Sequence, residues 1–187
     1  LHYAKNYGNQ TYNKIYLPYS EKYIEERFVY TDESGRRYRT RGREDGSVEK
    51  QYLDESPGVP LSTVWNDIKQ TYAMHLALRA KEETGYPTQK PESLLERIIS
   101  ISSNDNDLII DAFAGSGTTL AVAEKLKRRW IGIDSGKLAI YTIQKRMLNL
   151  KSDVGNKGKL LTPKPFTVDI YIYPLSSISK FIPPKAP

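Results

Sequence analysis

A chain of 187 residues with net charge +6, pI near 9.3 and 39% hydrophobic residues has the composition of one folded basic domain, or of part of a larger one. It has no cysteine and two histidines, His2 and His75, which excludes disulfides and cysteine-held metals; no metal is expected. No apolar run approaches the roughly 20 residues of a membrane span and no signal-peptide pattern opens the chain, so the expected setting is a reducing cytoplasm with no membrane partner.

Taken in order, the chain opens with Leu1 rather than Met, as a fragment or a processed product would. Residues 1 to 30 are rich in tyrosine, with Leu1 to Tyr7 expected as a strand and Ser20 as the N-cap of a helix reaching Phe28. The tyrosines serve either base stacking or packing against neighbouring structure. Between Gly35 and Arg43 come Arg36, Arg37, Arg39, Arg41 and Arg43, a stretch suited to contacting DNA phosphates or guanine edges. The competing reading is a solvated hairpin, because Glu44, Asp45 and Glu49 dilute the field. Pro57 to Pro60 is a turn, and Trp65 is either a wall of a cleft or a core anchor. Residues 71–83 are expected to form a helix or lid.

From Pro91 a helix is predicted with Leu94, Leu95, Ile98, Ile99 and Ile101 on one face. Asn104 to Asn106 turns the chain into Leu108-Ile109-Ile110, a short apolar run ending in Asp111 and passing through Phe113, Ala114, Gly115, Ser116 and Gly117 into a helix from Thr118 to Lys127. That is strand, tight turn, helix. Such a junction lies where α/β sheets bind ligands, and glycines let backbone approach one closely, although a paired glycine is also found in ordinary βα turns. A second strand follows from Trp130 to Asp134, then a helix from Lys137 to Leu150, so the alternation predicts a parallel sheet. Ser152 to Lys164 is expected to be a linker, Phe166 to Tyr173 a further strand, and the residues around Ile182 a tail.

The glycines fit neither nucleotide fingerprint: a dinucleotide site wants a glycine where Leu120 stands, and no Gly-Lys-Ser/Thr triplet makes a P-loop. Asp-Ala-Phe-Ala-Gly-Ser-Gly-Thr-Thr, with Thr88-Gln89-Lys90-Pro91 upstream and Gly132-Ile133-Asp134 downstream, instead resembles the amino-group DNA methyltransferases of the β class, type III modification subunits among them. The resemblance covers nearly everything up to about Leu150. It implies an α/β fold, part of a Rossmann-like sheet with an inserted, irregular target-recognition region. Residues 1–84 would then be the end of the catalytic half and the recognition region, 85–150 the cofactor-binding half, and 151–187 a linker, possible strand and tail.

The same resemblance implies S-adenosyl-L-methionine as cofactor and double-stranded DNA as substrate, with a restriction subunit or a second copy as further partners. By motif position, Thr88 and Lys90 (followed by Pro91) would receive the methionine carboxylate, with Ser116 or Thr118 hydroxyls adding donors. Asp111 would help hold the methionine end, Phe113 would lie near the transferable methyl, and Asp134 would accept the ribose hydroxyls. Ser135-Gly136 stands where the family often has an apolar cover for adenine. Adenine N6 is the expected target, with cytosine N4 or a non-catalytic DNA-binding remnant as alternatives.

Enzymes of this kind flip the base and hold its amino group with an Asp/Asn/Ser-Pro-Pro-Tyr/Phe motif. The sole Pro-Pro pair here, Pro183-Pro184, is preceded by Ile182 and followed by Lys185, so no catalytic residue is assigned and the motif is expected upstream of residue 1. An unpaired sheet edge is expected in its place.

Overall fold

In the computed structural model, residues 3–69, 82–162 and 164–169 are described. The helix or lid expected over 71–83 therefore lies almost wholly outside the described residues, as do the Ile182 tail and residues 170–173 of the last predicted strand.

The amino-terminal third is built on antiparallel pairs. Strand β1 (Tyr16–Leu17) pairs with β5 (Val59–Pro60), and β2 (Tyr30–Thr31), β3 (Arg37–Gly42) and β4 (Val48–Tyr52) form a three-stranded sheet. Helix α1 (Glu21–Arg27) starts where sequence placed it: the Ser20 hydroxyl accepts from the Tyr23 N–H at 3.2 Å, capping one of the orphan donors of the first turn. Phe28 follows α1 and is fully buried, with Tyr19 tilted against it. The strand expected from Leu1 to Tyr7 does not form among the described residues, where 3–7 carry no strand pairing. The arginine stretch and Gln51 are joined by one short turn in which Arg43 N–H donates to Ser47 O.

The other half alternates helix and strand. Helix α2 (Glu92–Ser102) leads to β6 (Leu108–Asp111), α3 (Thr118–Lys125), β7 (Arg129–Gly132) and α4 (Lys137–Leu148). Strands β6 and β7 pair in parallel, Leu108 opposite Arg129 and Asp111 opposite Gly132, so α3 is the crossover between them. Leu120, Ala121, Val122 and Ala123 are consecutive and all buried, which places α3 at the centre: one side meets α4 through Ile143 and Met147, the other meets α2 through Ile99. Fully burying side chains such as Leu120 and Met147 contributes about 1.5–3 kcal/mol each.

Two sequence expectations change here. The inward stripe of α2 is Glu92, Leu95 and Ile99 rather than the five aliphatics together, and Ile98 is exposed. The predicted linker holds an antiparallel hairpin, β8 (Lys151–Asp153) with β9 (Lys157–Leu160), because Gly155 and Asn156 both accept positive φ and let the chain reverse tightly. Phe166 belongs to no strand and packs against Trp130. No helix among the described residues is long and apolar enough to cross a membrane.

On β6 and β7 the pleat alternates. Ile109 and Trp130 face α3, whereas Leu108, Ile110, Ile131 and Ile133 lie on the other side and remain 45 to 60% exposed.

Candidate functional site

The turn after β6 is locked to the end of β7. Ala114 N–H donates to Ile133 O at 3.0 Å, Ile133 N–H to Asp111 O at 2.8 Å, and Gly115 N–H to the Asp134 carboxylate at 2.8 Å. The second Asp134 oxygen accepts from Gly136 N–H, also at 2.8 Å. Each oxygen of this half-buried carboxylate keeps lone-pair capacity for another donor. Asp111 accepts from Phe113 N–H at 3.1 Å, and the Phe113 ring is 90% exposed beside the turn.

Gly115 and Gly117 have φ of +52° and +72°, in the left-handed region that disfavours a Cβ. A Cβ on Gly117 would also stand 2.8 Å from the Ile143 side chain, and one on Gly115 would stand 3.3 Å from the Tyr86 ring. Both glycines therefore answer to backbone shape and to close packing. Tyr86, the aromatic of Tyr86-Pro87-Thr88, was not singled out from sequence; its contact with Gly115 crosses some thirty positions and leaves no local signature.

The upstream motif reaches the turn from beneath. Thr118 donates its hydroxyl to Lys90 O at 3.2 Å, and Pro91 is buried at the start of α2. Gln89 braces this segment: its amide oxygen accepts from the Thr84 N–H at 2.9 Å, and its amide nitrogen donates to Glu82 O at 2.8 Å. Thr88 is exposed, and the Lys90 ammonium, also exposed, donates to Thr88 O at 3.1 Å.

The hydroxyls of Ser116 and Thr118 correct the sequence reading. Both residues are buried, 3.0 Å from each other, and Thr118 Oγ1 accepts from the Arg146 guanidinium at 3.0 Å. The Thr118 hydroxyl meets Arg146 and the Ser116 hydroxyl meets that of Thr118, so both are engaged on the inner side of the turn.

Behind the turn lies a buried charge cluster. Glu92 accepts from Arg146 at 2.8 Å, Lys125 at 2.6 Å, Gly155 N–H at 2.7 Å and Asn156 N–H at 3.3 Å, with the Glu92 and Lys125 side chains each 1% exposed and Arg146 6%. The Glu92 N–H in turn donates to the buried Glu82 carboxylate at 2.5 Å. Burial raises Glu82 above the ordinary range, whereas Arg146 and Lys125 outweigh burial at Glu92 and hold it low.

The arginine stretch forms β3 and its flanks, and its guanidinium groups are largely engaged within the chain. Arg36 pairs with Asp54 and Glu55 and stacks over Tyr52; Arg37 donates to Phe28 O and Ile24 O. Arg39 donates to Gln51 and to the Tyr23 hydroxyl, and Arg43 pairs with Glu49. Arg36 holds Asp54 below its usual range and is itself held up by Asp54 and Glu55. Arg41 alone of the five has no side-chain hydrogen bond or ion pair among the described residues. Trp65 acts as neither a deep anchor nor an open wall: it is half buried under Arg97, whose guanidinium lies 5.2 Å from the ring and also pairs with Asp67.

A left-handed glycine turn at the carboxyl end of a parallel strand, tied to an acid at the end of the next, has the build of an α/β ligand site. The chain belongs to the N6_N4_Mtase family, described as DNA methylase, which matches residues 1–145. It is similar to the type II methyltransferases M.EcaI of Enterobacter cloacae, 35% identical over 57% of this chain and 23% of that one, and M.BamHI of Bacillus amyloliquefaciens, 39% identical over the same shares. The type II methyltransferase M2.LlaDCHI of Lactococcus lactis subsp. cremoris is 46% identical over 43% of this chain and 30% of its own. Among solved structures, the M1.HpyAVI–SAM complex shares 49% identity over 35% of this chain and 32% of that chain, with a TM-score of 0.34. The chain spans less than a third of the length of these relatives.

Proposed function

We propose that this chain is the cofactor-binding half and target-recognition region of a cytoplasmic DNA methyltransferase that transfers a methyl group from S-adenosyl-L-methionine to the exocyclic N6 of adenine in double-stranded DNA, within a restriction–modification pair. Residues 1–84 are the end of the catalytic half and the recognition region, 85–150 hold the cofactor, and the hairpin after Leu150 supports the latter. The observation that carries the reading is one cradle: Asp134 joined to Gly115, with Thr88 and Lys90 delivered beside the same turn through the Thr118–Lys90 contact.

The residues present fit such a cofactor. A vicinal diol can donate to both Asp134 oxygens, each of which carries only one backbone N–H. The Lys90 ammonium and Thr88 hydroxyl, both exposed, are the donors suited to a carboxylate, and the Phe113 ring offers an apolar surface beside Asp111. When bound, the cofactor supplies an electrophilic methyl. What this chain contributes is position and hydrogen bonding; the acceptor group that would support the attacking amine is not assigned to any of its residues.

The test is methyl transfer to unmethylated genomic DNA, followed by nucleoside analysis. This chain alone is expected to give no modified base, because losing the amine-holding constellation costs several kcal/mol of barrier and so orders of magnitude in rate. A longer polypeptide from the same gene carrying an Asp-Pro-Pro-Tyr type motif is expected to give N6-methyladenine. N4-methylcytosine in its place would move the target base, sustained turnover by the short chain would put catalysis among its own residues, and silence from the longer one would leave a non-catalytic remnant.

DNA contact by the arginine hairpin is measured by salt titration. Arg41→Ser is expected to flatten the slope of log affinity against log salt by about 0.9, the loss of one phosphate contact. Changing Arg36, Arg37, Arg39, Arg41 and Arg43 together to Ser should lower affinity further, partly by loosening β3. Affinity and slope unmoved by the fivefold change would make the hairpin a solvated surface and nothing more.

A further inference from the structure

We propose that Arg146 is a positioning residue that fixes the shape of the Ser116–Thr118 turn, and that Glu92, anchored by the β8–β9 hairpin, in turn fixes Arg146. Its functional consequence rests on the reading of that turn as the cofactor site.

The geometry is a chain of short contacts with little slack. One guanidinium nitrogen of Arg146 donates both to Thr118 Oγ1 at 3.0 Å and to Ser116 O at 3.3 Å, and the other donates to Glu92 Oε1 at 2.8 Å. A guanidinium is planar and rigid, so the place of the Glu92 oxygen dictates where the Ser116 carbonyl and the Thr118 hydroxyl can sit. Glu92 is itself held by Lys125 and by the Gly155 and Asn156 N–H groups. Lys125 also donates to Asp153 O at 3.0 Å, closing the hairpin onto the same carboxylate. Thr118 passes the constraint on to Lys90 O, so the turn and the Thr88–Pro91 segment share one fixed point.

The arrangement separates two roles at one carboxylate. Arg146 connects Glu92 to the turn, whereas Lys125 connects Glu92 to the hairpin and touches no residue of the turn in the contacts described.

Arg146→Lys keeps a cation beside Glu92 but lacks the fork needed to reach Thr118 and Ser116 as well. The control is Lys125→Met, and both variants are made in the full chain and compared under conditions where each is folded. Amide hydrogen exchange is the first readout because it needs no ligand. In Arg146→Lys, exchange at 115–119 should accelerate at least tenfold while 151–160 changes little, and Lys125→Met should show the opposite pattern. Calorimetry with S-adenosyl-L-methionine should then show Kd at least tenfold weaker for Arg146→Lys than for Lys125→Met. If the lysine variant does not fold, Arg146→Gln, with a short amide in place of the fork, serves in its stead.

Wild-type exchange at 115–119 in the Arg146 variant, or equal acceleration of turn and hairpin in both variants, would overturn the proposal and leave the cluster as structural support. If the expected exchange pattern appears and the wild-type chain binds no S-adenosyl-L-methionine, the hold of Arg146 on the turn stands and the cofactor reading falls.

Discussion

Replacing Glu92 with alanine is expected to cost about 3–5 kcal/mol of folding stability, because it removes the carboxylate that both Arg146 and Lys125 are hydrogen-bonded to and leaves those charges buried without it. That is a large share of the roughly 5–15 kcal/mol that holds a domain folded, so partial unfolding at ordinary temperature is the anticipated result. Urea melts at neutral pH check it, and a loss below about 1 kcal/mol would show that solvent or a rearranged partner serves the two cations.

The acid limb gives a second handle. Burial alone would push Glu92 up, but Arg146 and Lys125 more than offset it, so the folded value lies below the ordinary 4.5. A depressed carboxyl contributes stability that is complete above the unfolded value and is lost as pH falls through the folded one. Below about pH 4.5 the wild type should therefore lose stability that Glu92→Gln does not have to lose. Glu82 works the other way: raised by burial, its contribution is complete below the ordinary value and is lost as pH rises through the folded one. Both trends are read from urea midpoints across pH 3 to 7, and parallel curves for wild type and Glu92→Gln would contradict the assignment.

Asp134→Ala is expected to weaken S-adenosyl-L-methionine binding on the order of a hundredfold or more. Hydrogen bonds to a charged acceptor are worth about 1.5–3 kcal/mol each, and a diol meeting both carboxylate oxygens would lose two of them. Stability should fall far less, since Asp134 is half exposed and water can reach the Gly115 and Gly136 N–H groups it leaves behind. Calorimetry on the two proteins decides the point; equal affinity, or tight NAD binding in place of the sulfonium cofactor, would sink the assignment.

What sequence made legible were the features written in adjacent residues. The cap at Ser20 and the run from Leu108 into the glycine turn occupy a few consecutive positions and stand where expected, while the second strand, expected from Trp130 to Asp134, runs Arg129–Gly132 with the acid just past its end. Glu92 was hidden because its partners Lys125 and Arg146 lie 33 and 54 residues away, and an acid in the first turn of a helix already has a sufficient local explanation. The inward hydroxyl of Thr118 meets the same distant arginine, and that of Ser116 meets Thr118. In the arginine stretch, composition shows charge but not pairing, which depends on Gln51 arriving from the next strand and Asp54 and Glu55 from the turn after it. The β8–β9 hairpin did carry a signal, the Gly155-Asn156 step, masked by the lysines and glycines around it.

The open side of the β6–β7 pair bears on how any measured stability should be understood. Leu108, Ile110, Ile131 and Ile133 present a strip that folding has ordered without drying. Whatever covers such a strip only when the chain is folded draws the folding equilibrium toward the native state by mass action, to an extent set by its concentration relative to its own dissociation constant. For a chain whose strip is covered in this way, the unfolding midpoint is a function of its surroundings, and melts with and without the covering group measure different thermodynamic systems.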